Sequence, residues 1–193
     1  MTDMVKIANS KRTILNMAED LLQVKGFNGF SYAHIASELG VKNAAIHYHF
    51  PSKEELGRAV IRRYRDRFQL WINNSRVRDL PPEKKMDWFF NIYNDTRADQ
   101  GKVCLIGSME VEFNTIPEGL QAEVEALHNE MLAWLQETLR EGRDSGVFRF
   151  QGKPGSKAAL ILSSLQGALQ MARALGSKRF RDVVEQLKLD LLA

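Results

Sequence analysis

Between Gly40 and Pro51 the chain reads Val-Lys-Asn-Ala-Ala-Ile-His-Tyr-His-Phe, a run that sets a cation, an amide, a phenol and two imidazoles close together. On a helix, Ile46 turns one way, and Lys42, Asn43, Ala44, Ala45, His47 and Tyr48 are left on a polar outer surface. A helix of that make-up fits the major groove of a duplex, where amide and imidazole groups meet base edges and small residues permit close approach. Other chemistries find little support. Glu125-Ala-Leu-His128 has the Glu-x-x-His spacing of di-iron bundles, but such sites need two of these motifs and two more carboxylates. None of the other three histidines supplies a second motif, so the pair is read as solvated and no metal is expected. No Ser/His/Asp order, glycine-rich phosphate loop or paired carboxylate points to an enzyme, and no cofactor is implied. The single cysteine, Cys104, excludes an internal disulfide and a cysteine-based zinc site.

The groove-facing run needs elements to hold it. Apolar residues recur at helical spacing nearly throughout, and no alternating strand of useful length is present, which predicts an all-α fold of about nine helices. The first is expected to start near Asn9 or Ser10, either of which can cap it. It should bury Ile14, Ala18, Leu21 and Leu22 and leave through Gly26. Ser31 is placed to cap a short helix reaching Leu39 that buries Ile35, Ala36 and Leu39. Gly40 takes the turn, and the next helix runs from about Lys42 to His49, with Val41 and Ile46 anchoring it. Pro51 stops it, and Ser52-Lys53-Glu54-Glu55 opens a long helix with capping-box spacing. That helix should carry Leu56, Ala59, Val60, Tyr64, Phe68 and Trp71 inward; Arg62, Arg63, Arg65 and Arg67 are read as a solvated basic face.

Leu80-Pro81-Pro82 is the linker candidate, and five helices are expected beyond it. They run at about 83–99 (around Met86, Phe89, Phe90 and Tyr93), 105–113, 117–141, 156–175 and 179–192. The third of these stripes Leu120, Val124, Leu127, Met131, Leu135 and Leu139 along one face. Charge is uneven. Residues 1–80 hold thirteen Lys and Arg against eight Asp and Glu, and the remainder hold fourteen against sixteen. A basic front and a mildly acidic rear suit contact with a polyanion at one end. No run approaches the length and apolarity of a membrane span, and the start lacks a secretory layout, so a cytoplasmic location without membrane partners is expected.

The ordered set Ile35-Ala36-x-x-Leu39-Gly40-Val41, Ile46-x-Tyr48-His49-Phe50 and Pro51-Ser52-Lys53-Glu54-Glu55-Leu56 resembles the DNA-binding signature of the TetR/AcrR family of transcriptional regulators. The match is strong over roughly residues 10–60. It implies an N-terminal three-helix helix-turn-helix domain at 1–55, with the motif at about 31–50. A larger ligand-binding and dimerisation domain would occupy 56–193. Carried over by position, Ser31 and Tyr32 start the supporting helix at the phosphate backbone, and Lys42, Asn43, Ala44 and Ala45 open the recognition helix. His47 contacts base or backbone, Tyr48 and His49 contact phosphates, and Lys53 adds a cation at the next helix start. Many relatives carry Tyr in place of His47 and a hydroxyl residue in place of Ala45, which leaves open the bases read.

The resemblance further implies a homodimer on a double-stranded operator, most commonly a repressor released by a small-molecule effector that the sequence does not name. An activator stays open. Ala158, Leu160, Ile161, Leu165, Ala168, Leu169 and Ala172 offer a small-residue surface for pairing between protomers. A pocket would draw on Trp88, Phe89, Tyr93, Cys104, Met109, Phe113, Met131, Trp134, Gln166, Gln170 and Met171. Cys104 has two readings, a buried small hydrophobe or a thiol sensing oxidants or electrophiles.

Overall fold

The computed structural model describes residues 2–93 and 100–192, with side chains from residue 11 onward. Ten α-helices are present among these residues and no strand. They are α1 (Thr2–Lys25), α2 (Tyr32–Leu39), α3 (Asn43–His49), α4 (Lys53–Asn73), α5 (Ser75–Arg78), α6 (Pro82–Ile92), α7 (Leu105–Val111), α8 (Glu118–Asp144), α9 (Pro154–Leu175) and α10 (Lys178–Leu192). A 3₁₀ turn, Phe113–Thr115, follows α7.

Helix α1 begins ahead of the expected cap at Asn9 or Ser10, since neither glycine nor proline interrupts residues 2–10. The short α5, capped by the Asn74 side chain accepting from the Arg76 amide, is an addition to the expected set. Pro82 occupies the first turn of α6, where its missing N–H costs nothing. That helix ends at Ile92; the expected stretch 94–99 lies outside the described residues.

The chain forms two compact units, each discontinuous in sequence. One comprises Met1–Asp66 with Leu105–Leu127, the other Arg67–Cys104 with His128–Ala193. Of the three boundaries, two fall inside α4 and α8 and the third directly before α7.

In the first unit the inward face of α1 is Ile14, Ala18, Leu21 and Leu22, all buried. Ile35 and Ala36 of α2, Ile46 of α3, and Leu56, Val60 and Ile61 of α4 complete this core together with Ile106, Met109 and Leu120. Gly40 ends α2 in the left-handed region (φ 64°, ψ 32°), with its own N–H and that of Val41 turned back onto Ser37 and Ala36 carbonyls. No atom crowds the place a Cβ would take there, so the glycine serves the backbone angle alone. Val41 departs from expectation. It is 42% exposed, because the residue after this turn is carried outward, and Ile46 alone anchors α3.

The second unit centres on α6, the C-terminal part of α8, α9 and α10. Met86, Phe89, Phe90 and Tyr93 are buried with Met131, Leu135 and Leu139 of the expected α8 stripe. Helices α9 and α10 pack side by side, and α10 buries Phe180, Leu187 and Leu191. Six of the seven α9 residues expected to pair protomers (Ala158, Ile161, Leu165, Ala168, Leu169, Ala172) are already buried within the single chain. The small Ala158, Ala168 and Ala172 and the larger Ile161, Leu165 and Leu169 serve packing inside the protomer, and only Leu160 stays exposed.

Candidate nucleic-acid interface

Helix α3 has one buried residue, Ile46, in the middle of its seven. Lys42, Asn43, Ala44, Ala45, His47 and Tyr48 are all exposed, Tyr48 at 73%, while His49 is half-buried. A helix with so thin an apolar underside is held by what braces it. The Tyr32 ring lies 4.7 Å from the His47 ring in an edge-to-face arrangement. The Tyr32 hydroxyl donates to the Phe50 carbonyl at 2.8 Å. The Phe50 amide closes the helix on Ile46 O, and His47 Nδ1 lies 3.3 Å from the Pro51 carbonyl. Phe50 itself is buried. Tyr48 and His49 meet ring to ring at 5.1 Å.

Ser31 caps α2 from an exposed position and donates its N–H to His34 Nδ1 at 3.1 Å. Nδ1 is the acceptor in this bond. His34 thus takes the place a Glu or Gln holds in a capping box. Ser-x-x-His at a helix start is the signal that would have found it. Tyr32 differs from the exposed set: it is buried, and burial, with the Glu55 charge adding, pushes its phenol up to about 12.

Lys53 is half-buried. Its ammonium stands 4.5 Å from the Phe27 ring centre and 4.6 Å from that of Phe30. Burial lowers its pKa, while the nearby Glu112 carboxylate acts in the opposite sense. Ser52 Oγ accepts the Glu55 amide at 3.1 Å, one half of the expected box at the α4 start. The arginines of α4 are only in part the solvated face expected of them: Arg62 and Arg67 are exposed and Arg63 and Arg65 half-buried, yet Arg62, Arg63 and Arg65 are engaged by carboxylates. Arg62 and Arg65 reach the buried Glu123 at 2.6 and 3.1 Å, and Arg58 stands 3.9 Å from it. Arg63 binds Asn16, the Leu15 carbonyl and Glu19 of α1.

The head thus presents a polar helix from a braced core. A model of the family "Bacterial regulatory proteins, tetR family" matches residues 14–60, and a second model, the tetracyclin repressor-like C-terminal domain, matches residues 84–187. The chain belongs to the TetR family. A TetR-family transcriptional regulator from Agrobacterium tumefaciens is 26% identical, with a TM-score of 0.89 over 97% of this chain and 100% of that one. A TetR transcriptional regulator from Legionella pneumophila is 30% identical, with a TM-score of 0.79 over 93% and 95%. AibR, whose structure holds isovaleryl coenzyme A and operator DNA, is 20% identical, with a TM-score of 0.74 over 95% and 98%, a likeness of fold. This TetR-family protein is a DNA-binding transcriptional regulator. TetR-family regulators are generally not enzymes, bind operator DNA and small molecules, and act as dimers.

The residues expected to line a ligand pocket in this TetR-family chain are divided between the units. Met109, fully buried, and the half-buried Phe113 belong to the first. In the second, Trp134 lies against Trp71 (4.9 Å), Phe89 (5.5 Å) and Phe68 (6.2 Å), and Phe89 meets Tyr93 at 5.5 Å. Cys104 is buried with Sγ 4.0 Å from the Tyr93 hydroxyl. Met131 is buried, and so is Gln166, whose Nε2 meets no hydrogen-bond partner among the described residues. Trp88, Gln170 and Met171 are exposed. Phe68 and Trp71 join the cluster without having been expected as pocket residues, because an inward residue on a long helix reads first as core.

Among the described residues, no group of three metal-ligating side chains comes together, and no helix is long and apolar enough to cross a membrane.

Proposed function

We propose that the protein is a ligand-responsive repressor, with residues 1–55 reading an operator and residues 56–193 sensing an effector and pairing two protomers. One observation carries the reading: α3 exposes Asn43, His47 and Tyr48, leaves His49 half-buried, and fully buries only Ile46. In a dimer, two such helices would lie in successive major grooves roughly 34–36 Å apart on a near-palindromic site. Lys42 and Tyr48 would meet phosphates, with His49 at the edge, and Asn43 and His47 the base edges, where Ala44 and Ala45 allow close approach. Ser31 lies at the α2 start for a backbone contact. Tyr32 and Lys53, being half or wholly withdrawn, would act through the side chains they brace.

Pairing is assigned to the apolar residues that α9 and α10 leave uncovered, Leu160, Met171, Leu175, Leu189 and Leu192, around Gly167, whose missing side chain leaves open space. The effector is assigned to the second unit, where the Trp71–Phe89–Trp134 cluster and the unpartnered Gln166 amide suit an apolar molecule bearing a hydrogen-bond acceptor. Effector binding would favour a dimer unable to engage both half-sites, a coupling of about 1–3 kcal/mol.

Selection of bound sequences from random duplexes tests the reading. The expected product is an enriched inverted repeat whose affinity falls when an apolar effector is added. An unenriched pool would overturn it.

A further inference from the structure

An acidic residue far along the sequence is hydrogen-bonded to the turn that precedes α2. Glu112 follows α7 and extends its carboxylate to the turn between α1 and α2. Its Oε2 accepts the Phe27 amide at 2.5 Å, and both oxygens lie 3.2 Å from the Asn28 amide. A second bond runs alongside. Asn28 Nδ2 donates to Thr115 Oγ1 at 2.8 Å, and that hydroxyl donates to the Glu112 carbonyl at 2.8 Å. Gly26 makes the approach possible. It holds φ at 77°, and a Cβ there would come within 2.8–3.0 Å of the Glu112 carboxylate. Lys53, at the start of α4, lays its ammonium on the Phe27 and Phe30 rings. The turn is therefore gripped at its backbone by an anion and at its side chains by a cation. It leads directly into α2, and Lys53 stands four residues after the end of α3.

We infer that Glu112 is a positioning residue for DNA recognition: its carboxylate clamps the Phe27–Asn28 backbone and so sets the angle at which α2 and α3 are presented. Two amide donors on one carboxylate form charge-assisted bonds, the stronger kind, and fix direction as well as distance. Removing the carboxylate frees both amides to water and lets the turn pivot. Specific binding, which needs α3 in register with base edges, then falls. Phosphate attraction, which tolerates a change of angle, does not.

The inference rests on the DNA-binding reading, and its test separates the two. Full-length wild type, Glu112→Gln, Glu112→Ala and a control, Glu118→Gln at an exposed position, are titrated at fixed salt. The probes are the selected operator and a scrambled duplex of equal length. Amide exchange at Phe27 and Asn28 is followed without DNA. For Glu112→Ala the operator Kd rises about tenfold while the scrambled Kd stays within about twofold, and exchange at both amides quickens about tenfold or more. Glu112→Gln, keeping one acceptor oxygen, falls between alanine and wild type, and the control matches wild type. An unchanged operator Kd, amides that stay protected, or equal weakening on both duplexes overturns the inference. Wild type that binds operator and scrambled duplex equally sinks the functional reading instead, and the exchange data still show whether the clamp exists.

Discussion

Tyr32 and Phe50 are joined by a hydrogen bond of 2.8 Å between the phenol of one and the carbonyl of the other. It spans the motif from the first residue of α2 to the residue that closes α3. Because the bond is buried, Tyr32→Phe leaves the Phe50 carbonyl without that donor, and a loss of about 1–2 kcal/mol in unfolding free energy is expected. The phenol's pKa is raised to about 12 in the folded chain, against about 10 when unfolded. A raised value means that the hydroxyl's contribution is whole below pH about 10 and drains away as pH climbs through about 12. Urea midpoints of wild type and Tyr32→Phe should keep a constant gap up to pH about 9.5, then converge. A gap that persists at pH about 12 would remove the hydroxyl from this role.

Lys42 and Asn43 open α3 side by side and should fail differently. Lys42→Ala is expected to weaken every duplex by a similar factor and to lower the log–log salt slope by about one, as loss of one phosphate contact requires. Asn43→Ala should cost about 1–3 kcal/mol on the operator alone and relax base preference at one position in each half-site. Anisotropy titrations over a salt series distinguish them.

Much of this architecture is legible from residue types alone, and the division follows distance along the chain. The α8 stripe from Leu120 to Leu139 is buried at every expected position, because a 3.6-residue period is written locally. Gly40 is equally local. What escaped depends on partners far away in sequence. The α4 arginines are partly solvated as expected, but nothing local announces that Glu123, some sixty residues on, is folded against Arg62 and Arg65. Glu112 meets Phe27 across 85 positions, and no spacing rule connects them. The α9 surface differs from expectation for a related reason: Ala158 and Ala168 promise close packing without saying whether the neighbour is the same chain or another. Val41 failed on geometry, since hydrophobicity predicts burial but the exit from a left-handed turn decides direction.

Glu123 should prove a costly residue to neutralise. Its side chain is 10% exposed and faces Arg62 and Arg65 directly, with Arg58 behind. Glu123→Ala would crowd three guanidinium groups around a site without its counter-charge. Full loss of a buried pair costs about 3–5 kcal/mol, but these arginines are partly solvated, so about 1–3 kcal/mol is expected. The loss should lessen in high salt as the arginines' mutual repulsion is screened. Chemical unfolding in low and high salt reads both effects.

Met171 and Leu175 lie one helical turn apart on α9, 45% and 68% exposed. Charging both, as Met171→Glu with Leu175→Glu, is expected to yield a folded monomer by sedimentation. Operator affinity should fall to that of a single half-site, while the helical content by circular dichroism is unchanged. A double variant that remains dimeric would move the pairing surface elsewhere.

The membership of residues 105–127 in the same compact unit as residues 1–66 bears on engineering. Grafting only the N-terminal stretch onto another sensor body would leave behind the acceptor for the Phe27 and Asn28 amides and the counter-ion for Arg62. A working chimaera has to transplant two separate pieces of chain as one cassette.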